Sequence, residues 1–348
     1  MTNARYLSIL NEIKKKGGSV DYDEPNKRVL IVDGLNTFIR VFSVMPTVNE
    51  NGVHVGGIVG FLQSLGYAIN MFNPSRVIIV FDGKGGSSRR RKIFSDYKQR
   101  RRTSYRVNRL EGLENLEDEK RSMRVQLRRI VDYLELLPVT SISVDGIEAD
   151  DAIAYIAHKL LDKEVTIMSA DQDFLQLVND RITVWSPTKK KFYTPRMVEA
   201  DYGVPAHNFL MYKTLMGDKS DNIPGVKGLG PKKLPKILPD LLTQQTLDLD
   251  FILEYAGKGE EPMHKRISES ATQLRINEEL MDLKNPPISG ELKLQITRLI
   301  EAPINLLSRN DFIIMYNDDQ LGNAISAPEL WLREHFIKLN TFAKQTHE

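Results

Sequence analysis

The chain of 348 residues contains no cysteine. Without thiols it forms neither disulfides nor thiolate zinc sites nor iron–sulfur clusters, so only oxygen and imidazole groups remain as metal ligands, which favours hard cations. The sequence also lacks an apolar run of about 18 residues, and residues 1–16 contain no apolar core of a secretory signal. These absences predict a cytoplasmic protein that does not associate with membranes.

The net charge of +2 is small, but the charges are unevenly distributed. Residues 84–109 carry eleven basic side chains and a single acid, Asp96. Such a density is typical of a segment that binds a polyanion such as nucleic acid. A solvated basic loop without a binding role is the alternative, and the segment by itself does not decide between the two.

Short apolar runs that end in an acid or a turn residue predict β-strands at 28–33, 76–82, 140–145, 164–169 and 181–185. Helical spacing of apolar residues predicts helices that include 57–71 and 150–161. This alternation predicts an α/β fold with a mainly parallel central sheet flanked by helices. With 41% hydrophobic and 27% charged residues, the chain has the composition of a globular protein that can build such a core.

The pattern changes near Pro195, after which helices and short turns are predicted. We therefore divide the chain into an N-terminal extension (1–27), an acidic α/β core (28–195) and a helical region (196–348). The tail from about residue 248 is charged, has a helical pattern and contains no motif that we can interpret.

Acidic residues cluster at the carboxyl ends of the predicted strands, where open parallel sheets bind ligands. Because two carboxylates about 4 Å apart repel by about 4 kcal/mol at an effective dielectric near 20, their convergence requires protonation or cations. Oxygen ligands select Mg²⁺ or Mn²⁺, and two such ions about 3.5–4 Å apart suit in-line displacement at phosphorus. The candidate acids are Asp33, Asp82, Glu148, Asp150, Asp151, Asp171, Asp173, Asp218 and Asp221.

Each acid by itself also fits a simpler role. Asp150 suits a helix N-cap, Asp33 and Asp82 suit turns before glycine, and Asp171 suits an Asx-turn. Because so many of them follow strands that end at one edge of the predicted sheet, the combination favours a metal site.

A glycine-rich turn follows in the helical region. Gly225, Gly228 and Gly230 permit close backbone approach to a ligand, and Pro231 is predicted to be the first residue of a following helix. Free amides at a helix start suit a phosphate, although an ordinary corner between helices is the alternative. Lysines next to these glycines are candidate contacts for a DNA backbone: Lys227, Lys232 and Lys233.

Five motifs, in this order, resemble those of the 5′ nucleases, a family that includes phage and bacterial flap endonucleases and the 5′→3′ exonuclease domain of DNA polymerase I. They lie at 32–36 (VDGLN), 80–83 (VFDG), 146–151 (GIEADD), 169–173 (SADQD) and 217–225 (GDKSDNIPG), within a resemblance that spans about residues 28–238. The resemblance implies a structure-specific nuclease for 5′ flaps and branched or nicked duplex DNA in replication or repair. RNA primers are left open as further substrates.

The resemblance also implies site residues and cofactors. A catalytic ion, Mg²⁺ or its substitute Mn²⁺, is expected on the first set of acids and a second ion on the remainder. The first set is Asp33, Asp82, Glu148, Asp150 and Asp171, and the remainder is Asp151, Asp173, Asp218 and Asp221.

Two DNA-binding elements are implied as well. The basic segment resembles the family's helical arch, at about 84–125, in which Lys98 and Arg101 are assigned to the scissile phosphate and Arg89 and Arg90 to strand capture. Residues 217–238 resemble a helix–two-turn–helix element that grips the duplex backbone and often holds K⁺ on main-chain carbonyls, which are expected here within residues 225–230.

The sequence departs from the family pattern in three places. The first strand is preceded by about 27 residues, and Pro235 and Pro239 are predicted to shorten or kink the second helix of the hairpin element. No polymerase domain follows, which suggests a monomeric phage or accessory enzyme in a bacterial or phage-infected cytoplasm. We expect any replication proteins to bind through its C-terminal tail.

Two rival functions were considered. A HAD-like phosphatase needs a second aspartate two residues after the first, but Leu35 follows Asp33 at that spacing, and neither this fold nor a Toprim domain explains the glycine turn. A non-catalytic DNA-binding scaffold would be marked by loss of the acids, and none of the nine is lost.

Overall fold

In the computed structural model, residues 26–99, 115–160 and 162–348 are described. A six-stranded sheet forms the centre, in the order β3-β2-β1-β4-β5-β6, and all neighbouring strands are parallel except β5 and β6. The prediction of a mainly parallel sheet is therefore confirmed. The strands are β1 (Arg28–Asp33), β2 (Arg76–Asp82), β3 (Thr140–Val144), β4 (Glu164–Met168), β5 (Ile182–Ser186) and β6 (Lys191–Tyr193).

Helices cover both faces of this sheet. The predicted helix at 57–71 is α2, and the one at 150–161 is α5, which continues as a π-helical turn (Ile156–Leu160). The helices of the first half are α1 (Gly34–Val44), α2 (Gly56–Phe72), α3 (Ser88–Ile93), α4 (Leu116–Glu135), α5 (Ala149–Tyr155) and α6 (Pro195–Tyr202).

Both faces of the sheet are buried, which explains the continuous apolar runs in its strands. In β1, Val29 and Ile31 belong to a hydrophobic cluster on one face, whereas Leu30 and Val32 belong to a second cluster on the other face. Successive side chains of a strand point to opposite sides, so each strand contributes to both clusters. The first cluster includes α5 and the helices of residues 209–300, and the second includes α1, α2 and α4.

The second half of the chain is helical around one short β-ribbon. The ribbon pairs β7 (Gly217–Asp218) with β8 (Ile223–Pro224), and a 3-10 turn (Pro239–Leu242) follows α8. The helices are α7 (Phe209–Met216), α8 (Leu234–Ile237), α9 (Leu249–Lys258), α10 (Pro262–Glu269), α11 (Ala271–Met281), α12 (Gly290–Glu301), α13 (Arg309–Asp318) and α14 (Pro328–Gln345).

Two predictions about this half can be compared directly with the structure. Helix α8 has only four residues, so the predicted shortening by Pro235 and Pro239 is confirmed. Pro231 lies in a turn and α8 begins at Leu234, so the prediction that Pro231 starts that helix is wrong. The amide of Lys233 donates to the carbonyl of Gly230, which closes a turn ahead of the helix.

The C-terminal tail is docked on the sheet rather than extended into solvent. Phe312, Trp331 and Phe336 from α13 and α14 join the second hydrophobic cluster. Asp319 accepts hydrogen bonds from Arg129 and Tyr133 of α4 at 2.8 Å. None of the helices in the described ranges is long and apolar enough to cross a membrane.

Candidate active site

The acidic rim begins where β1 ends beside β4. Asp33 is the last residue of β1 and the N-cap of α1, and its Oδ1 accepts the amide of Asn36 at 3.1 Å. Its Oδ2 accepts the hydroxyl of Ser169, which follows β4, at 2.8 Å. The same Ser169 oxygen accepts the amide of Asp171 at 3.0 Å. One serine thus fixes the relative positions of the Asp33 and Asp171 segments.

The next strand end positions a second group of acids. Asp82 closes β2 and accepts the amide of Ala149 at 2.8 Å, which fixes the start of α5 against the rim. Glu148, Asp150 and Asp151 lie at that helix start. The parallel register therefore brings chain-distant acids to one edge, as the strand pattern predicts.

Asp33, Asp150 and Asp171, which we call the open carboxylates, form no ion pair among the described residues. Burial raises the pKa of Asp33 to about 7. The negative charges of Asp171 and Asp82 also raise this pKa, whereas the hydrogen bonds from Ser169 and Asn36 lower it. Burial likewise raises the pKa of Asp150 well above its usual range. Among the neighbouring carboxylates, the negative charge of Asp171 raises this pKa most. These groups lie close enough to repel one another, so positive charge is favoured at this position.

A second set of acids is neutralised by basic side chains of the same chain. Arg90 donates from Nη1 to Glu148 and from Nη1 and Nη2 to Asp151, each at 2.7 Å, and from Nε to the carbonyl of Leu280 at 2.9 Å. Arg90 is only 5% exposed. The structure therefore does not support the assignment of Arg90 to strand capture, because its guanidinium is occupied inside the protein.

Lys98 reaches the rim from the end of the basic segment. Its Nζ lies 2.9 Å from Glu148, whose other oxygen accepts the hydroxyl of Tyr97 at 3.0 Å. Burial would lower the pKa of Lys98, but Asp150, Glu148 and Asp221 outweigh it and raise that pKa. Burial would raise the pKa of Glu148, but Lys98 and Arg90 hold it below its usual value. Lys98 is thus a charged ammonium beside the open carboxylates.

Lys213 of α7 is a site residue that sequence reasoning missed. Its ammonium lies 2.9 Å from Asp173 and 2.5 Å from Asp218. Burial would raise the pKa of Asp218, yet Lys213 lowers it to about 2, whereas burial and Asp171 raise the pKa of Asp173 to about 7. The available signal was a lone lysine in the apolar helix FLMYKTLM. We call Glu148, Asp151 and Asp218 the paired carboxylates.

The open carboxylates have the chemistry of a metal site. Within the described residues, no three acidic or histidine side chains are grouped closely enough to hold an ion by themselves. Mg²⁺ needs only one or two carboxylates when water and substrate phosphate complete its shell, and oxygen ligands with mutual repulsion suit it. The open carboxylates therefore fit a hard divalent cation, whereas both oxygens of Asp151 already accept from Arg90.

The glycine-rich turn lies beyond the β-ribbon. A side chain at Gly225 would meet the carbonyl oxygen of Met216 at 2.2 Å, so the close packing of two backbone segments requires glycine there. Gly228 has a φ of +83°, whereas a side chain at Gly230 would meet nothing within 4 Å. The adjacent lysines Lys227, Lys232 and Lys233 are exposed, as a phosphate-binding surface requires.

Two carbonyls of this turn already contact cationic side chains. Lys233 donates to the carbonyl of Gly228 at 3.0 Å, and Arg266 donates to that of Lys227 at 3.4 Å. The expected K⁺ site at residues 225–230 stays a prediction, and these two side chains would compete with it.

The remaining predicted contacts lie at the basic segment. Arg89 is half-exposed and pairs with Glu279 at 2.8 Å. Asp221 is buried, and its main-chain carbonyl accepts the amide of Lys98 at 2.9 Å. Arg101 and the central part of the predicted arch lie outside the described residues, so their assignment stays a prediction.

Comparison with protein-family models gives two matches that adjoin each other. Residues 28–203 match the model described as "5'-3' exonuclease, N-terminal resolvase-like domain". Residues 204–300 match "5'-3' exonuclease, C-terminal SAM fold". The models meet a few residues after the boundary that the sequence pattern placed near Pro195.

Individual proteins give consistent matches. The chain is 33% identical over 215 residues to a 5'-3' exonuclease of Aquifex aeolicus, covering 61% of this chain and 69% of that protein. It is 35% identical over 220 residues to the thermostable DNA polymerase I of Thermus thermophilus, covering 62% of this chain but only 24% of the polymerase. The fold is similar to that of the bacteriophage T5 D15 flap endonuclease, solved with DNA and metal ions, at a TM-score of 0.60 and 22% identity over 84% of this chain and 97% of the other.

Proposed function

The chain belongs to the 5′-3′ exonuclease family, which makes it a nuclease of the exonuclease and flap endonuclease type, and from this premise we propose that it hydrolyses 5′-ended and 5′-flapped DNA with Mg²⁺. Branched and nicked duplexes are the proposed substrates, and RNA annealed to DNA is a further one. The proposed role is in replication or repair. The polymerase activity of the longer relatives is not part of this proposal, because the match covers only their nuclease portion.

One observation carries the proposal. The open carboxylates lie together at the carboxyl edge of the sheet with Lys98 beside them, and burial and mutual repulsion raise the pKa of both Asp33 and Asp150. A site of this kind favours cations and, through them, the phosphate oxygens of a polyanion.

The chain's own residues supply binding and orientation. The open carboxylates, with Asp82, would hold Mg²⁺, which when bound activates water and offsets charge at the phosphate. Lys98 donates to an oxygen of the scissile phosphate, where its charge is worth most as negative charge develops. Arg90 holds Glu148 and Asp151 in place. Ser169 sets the spacing of Asp33 and Asp171.

A second ion, which the family resemblance predicts, is proposed between Asp173 and Asp218. The ammonium of Lys213 lies between these carboxylates in the structure, so an ion there has to displace it. Lys213 would then be free to contact phosphate. We propose that this exchange accompanies substrate binding.

Duplex DNA is proposed to lie on the glycine-rich turn. The exposed lysines at 227, 232 and 233 contact backbone phosphates, which position DNA without reading its sequence. Because each phosphate contact releases counterions, binding should weaken as salt rises. We keep the expectation of a monomer. Helices α13 and α14 are packed against the rest of the protein, so replication proteins that bind the C-terminal tail are proposed to contact the outer faces of these helices.

A 5′-labelled flap substrate tests the proposal directly. We expect cleavage with Mg²⁺ or Mn²⁺, none with EDTA, and binding without hydrolysis in Ca²⁺, whose bonds are longer and whose geometry is looser. Product lengths distinguish removal of single nucleotides from release of the whole flap. Cleavage that persists in EDTA, or that is rapid in Ca²⁺ alone, would contradict the proposed mechanism.

A further inference from the structure

Two residues with left-handed backbone conformations lie in the two segments that meet where the basic segment contacts the helical region. Lys98 has a φ of 54° and Asn222 a φ of 63°. Residues other than glycine seldom adopt this conformation, and asparagine tolerates it better than lysine does. Contacts with surrounding residues must therefore hold the backbone of Lys98 in place.

Those contacts come from residues 221 and 222. The amide of Lys98 donates to the main-chain carbonyl of Asp221 at 2.9 Å. The side-chain amide of Asn222 donates to the carbonyl of Asp96 at 3.2 Å, a contact between residues 126 positions apart. The carbonyl of Asp96 also accepts the amide of Gln99 at 3.0 Å. Both sides of the turn around Lys98 are thus bonded to one loop.

Hydrogen bonds and strand pairing hold that loop in place. It joins β7 to β8, whose pairing aligns Gly217 with Pro224 and Asp218 with Ile223. Asp218 Oδ1 accepts the amides of Ser220 at 2.7 Å and Asp221 at 3.2 Å. The glycine-rich turn of residues 225–230 follows β8 directly. One short ribbon therefore has the proposed duplex-binding turn at one end and the contacts to Lys98 at the other.

We propose that Asn222 is a positioning residue for Lys98 and that it connects the duplex-binding turn to the lysine at the reacting phosphate. Nζ of Lys98 lies 2.9 Å from Glu148, so a rotation of the Lys98 backbone would move its ammonium away from the rim. A displacement of the ribbon passes to Lys98 through the two hydrogen bonds. This inference rests on the proposed function of Lys98.

The substitution Asn222→Gly removes the side-chain amide and keeps the backbone conformation available, because glycine adopts a positive φ without strain. Asn73→Gly is a matched control, since Asn73 also has a left-handed backbone (φ 45°) but caps α2. We expect Asn222→Gly to lower the single-turnover cleavage rate at saturating flap DNA about tenfold. The Kd for DNA should change less than about twofold, because misplacement of a catalytic group affects the chemical step more than binding. Asn73→Gly should cleave at the wild-type rate.

A second variant distinguishes loss of the hydrogen bond from loss of the fold. Asn222→Asp keeps a residue that tolerates this backbone but presents a carboxylate, which cannot donate to the Asp96 carbonyl. Its rate should fall at least as far as that of Asn222→Gly. Thermal unfolding midpoints of both variants should match that of Asn73→Gly, which separates loss of positioning from loss of stability.

Two further measurements separate positioning from a general structural role. In a Lys98→Ala background, Asn222→Gly should cause no additional loss of rate, because residues that act through one group are not additive. In the metal-free protein with EDTA, hydrogen exchange of the peptide containing the Lys98 amide should be faster in Asn222→Gly than in wild type, and unchanged in Asn73→Gly.

The outcomes distinguish the inference from the proposed function. If Lys98→Ala cleaves at the wild-type rate, the proposed role of Lys98 is wrong and the inference fails with it. Three outcomes would overturn only the role of Asn222 when Lys98→Ala is slow. They are a wild-type cleavage rate in Asn222→Gly, rate losses of the two variants that multiply in the double variant, and unchanged hydrogen exchange at the Lys98 amide.

Discussion

The two groups of acids on the rim differ in what neutralises them. The paired carboxylates Glu148, Asp151 and Asp218 lie within ion-pair distance of Arg90, Lys98 or Lys213. The open carboxylates lie beside them and, in the described part of the chain, form no such pair. Among the described residues, the acids of the rim thus fall into two sets: one is neutralised by basic side chains of the same chain, and the other is not.

The nine acids assigned to metal therefore differ in what neutralises them in the metal-free chain, and their assignment as metal ligands stays a prediction. Leaving a buried carboxylate without a partner is costly, so the pairs with arginine and lysine are needed for stability whether or not metal is present. The open carboxylates repel one another in the metal-free chain and lower its stability. Variants of the two groups should therefore have opposite effects on stability and different effects on activity.

The largest effect is expected for Asp150→Asn. Loss of a charge from the open group should slow cleavage by about 10⁴-fold or more, on the order of 5 kcal/mol, while DNA affinity stays within about tenfold, because these acids would hold metal and not the backbone phosphates. Single-turnover cleavage and equilibrium binding on the same flap measure both. A variant that cleaves at a near wild-type rate would remove Asp150 from the metal site.

Arg90→Ala should give the largest loss of stability, about 3–5 kcal/mol, because it leaves Asp151 buried without its ion-pair partner and leaves Glu148 with Lys98 as its remaining cation. Arg89→Ala is the matched control. Its exposed pair with Glu279 should contribute less than about 1 kcal/mol, since solvent screens it. Urea unfolding at constant pH gives the free energy of unfolding of both variants. If Arg90→Ala and Arg89→Ala lose similar amounts, Arg90 is not the centre of the paired group.

Asp33→Asn should stabilise the metal-free protein at pH 8. The folded state binds the Asp33 proton more tightly, with a pKa of about 7 against 3.8, so wild-type stability falls as pH rises between these values. Asparagine keeps the N-cap and removes the charge, so in EDTA a gain of about 1–3 kcal/mol is expected at pH 8 and little near pH 4. Thermal unfolding across this range measures the gain.

Asp218→Asn removes the charge of a paired carboxylate and should change stability in the opposite direction. The pKa of Asp218 is lowered to about 2, so its charge stabilises the fold above pH 4, and this contribution is lost as pH falls towards 2. We expect a loss of about 1–2 kcal/mol at pH 8, after allowance for solvent screening at this partly exposed group. If both variants change stability in the same direction, the division into open and paired carboxylates is wrong.

The smallest effect is expected at the glycine-rich turn, away from both groups of acids. A Cβ at Gly230 would meet no protein atom within 4 Å, so we expect Gly230→Val to leave the fold intact and to weaken duplex binding about three- to tenfold by blocking close backbone approach. Gly225→Ala should instead reduce stability, since its side chain would meet the Met216 backbone. Normal duplex affinity in Gly230→Val would mean that DNA does not approach there.

The strand pattern was sufficient to predict the sheet and the edge at which Asp33, Asp82 and Asp171 would meet, because the apolar runs are local and their alternation with helices implies parallel neighbours. It could not predict how those acids are neutralised. Arg90 looked like an exposed base in a basic run, and its burial depends on the carbonyl of Leu280, which is 190 positions away. Lys213 looked like an ordinary residue of an apolar helix.

By itself, then, the sequence determined the fold class, the acidic rim, the glycine-rich turn and the shortness of the helix that contains Pro235. Each of these follows from residue spacing or from backbone preferences that act within a few residues. Only the tertiary structure decided that Arg90 and Lys213 face inward, that Lys98 has a left-handed backbone, and that Asn222 donates to the carbonyl of Asp96 in the turn that contains Lys98. Those outcomes depend on burial and on hydrogen bonds between distant segments, where the cost of an unpaired buried charge selects the partner.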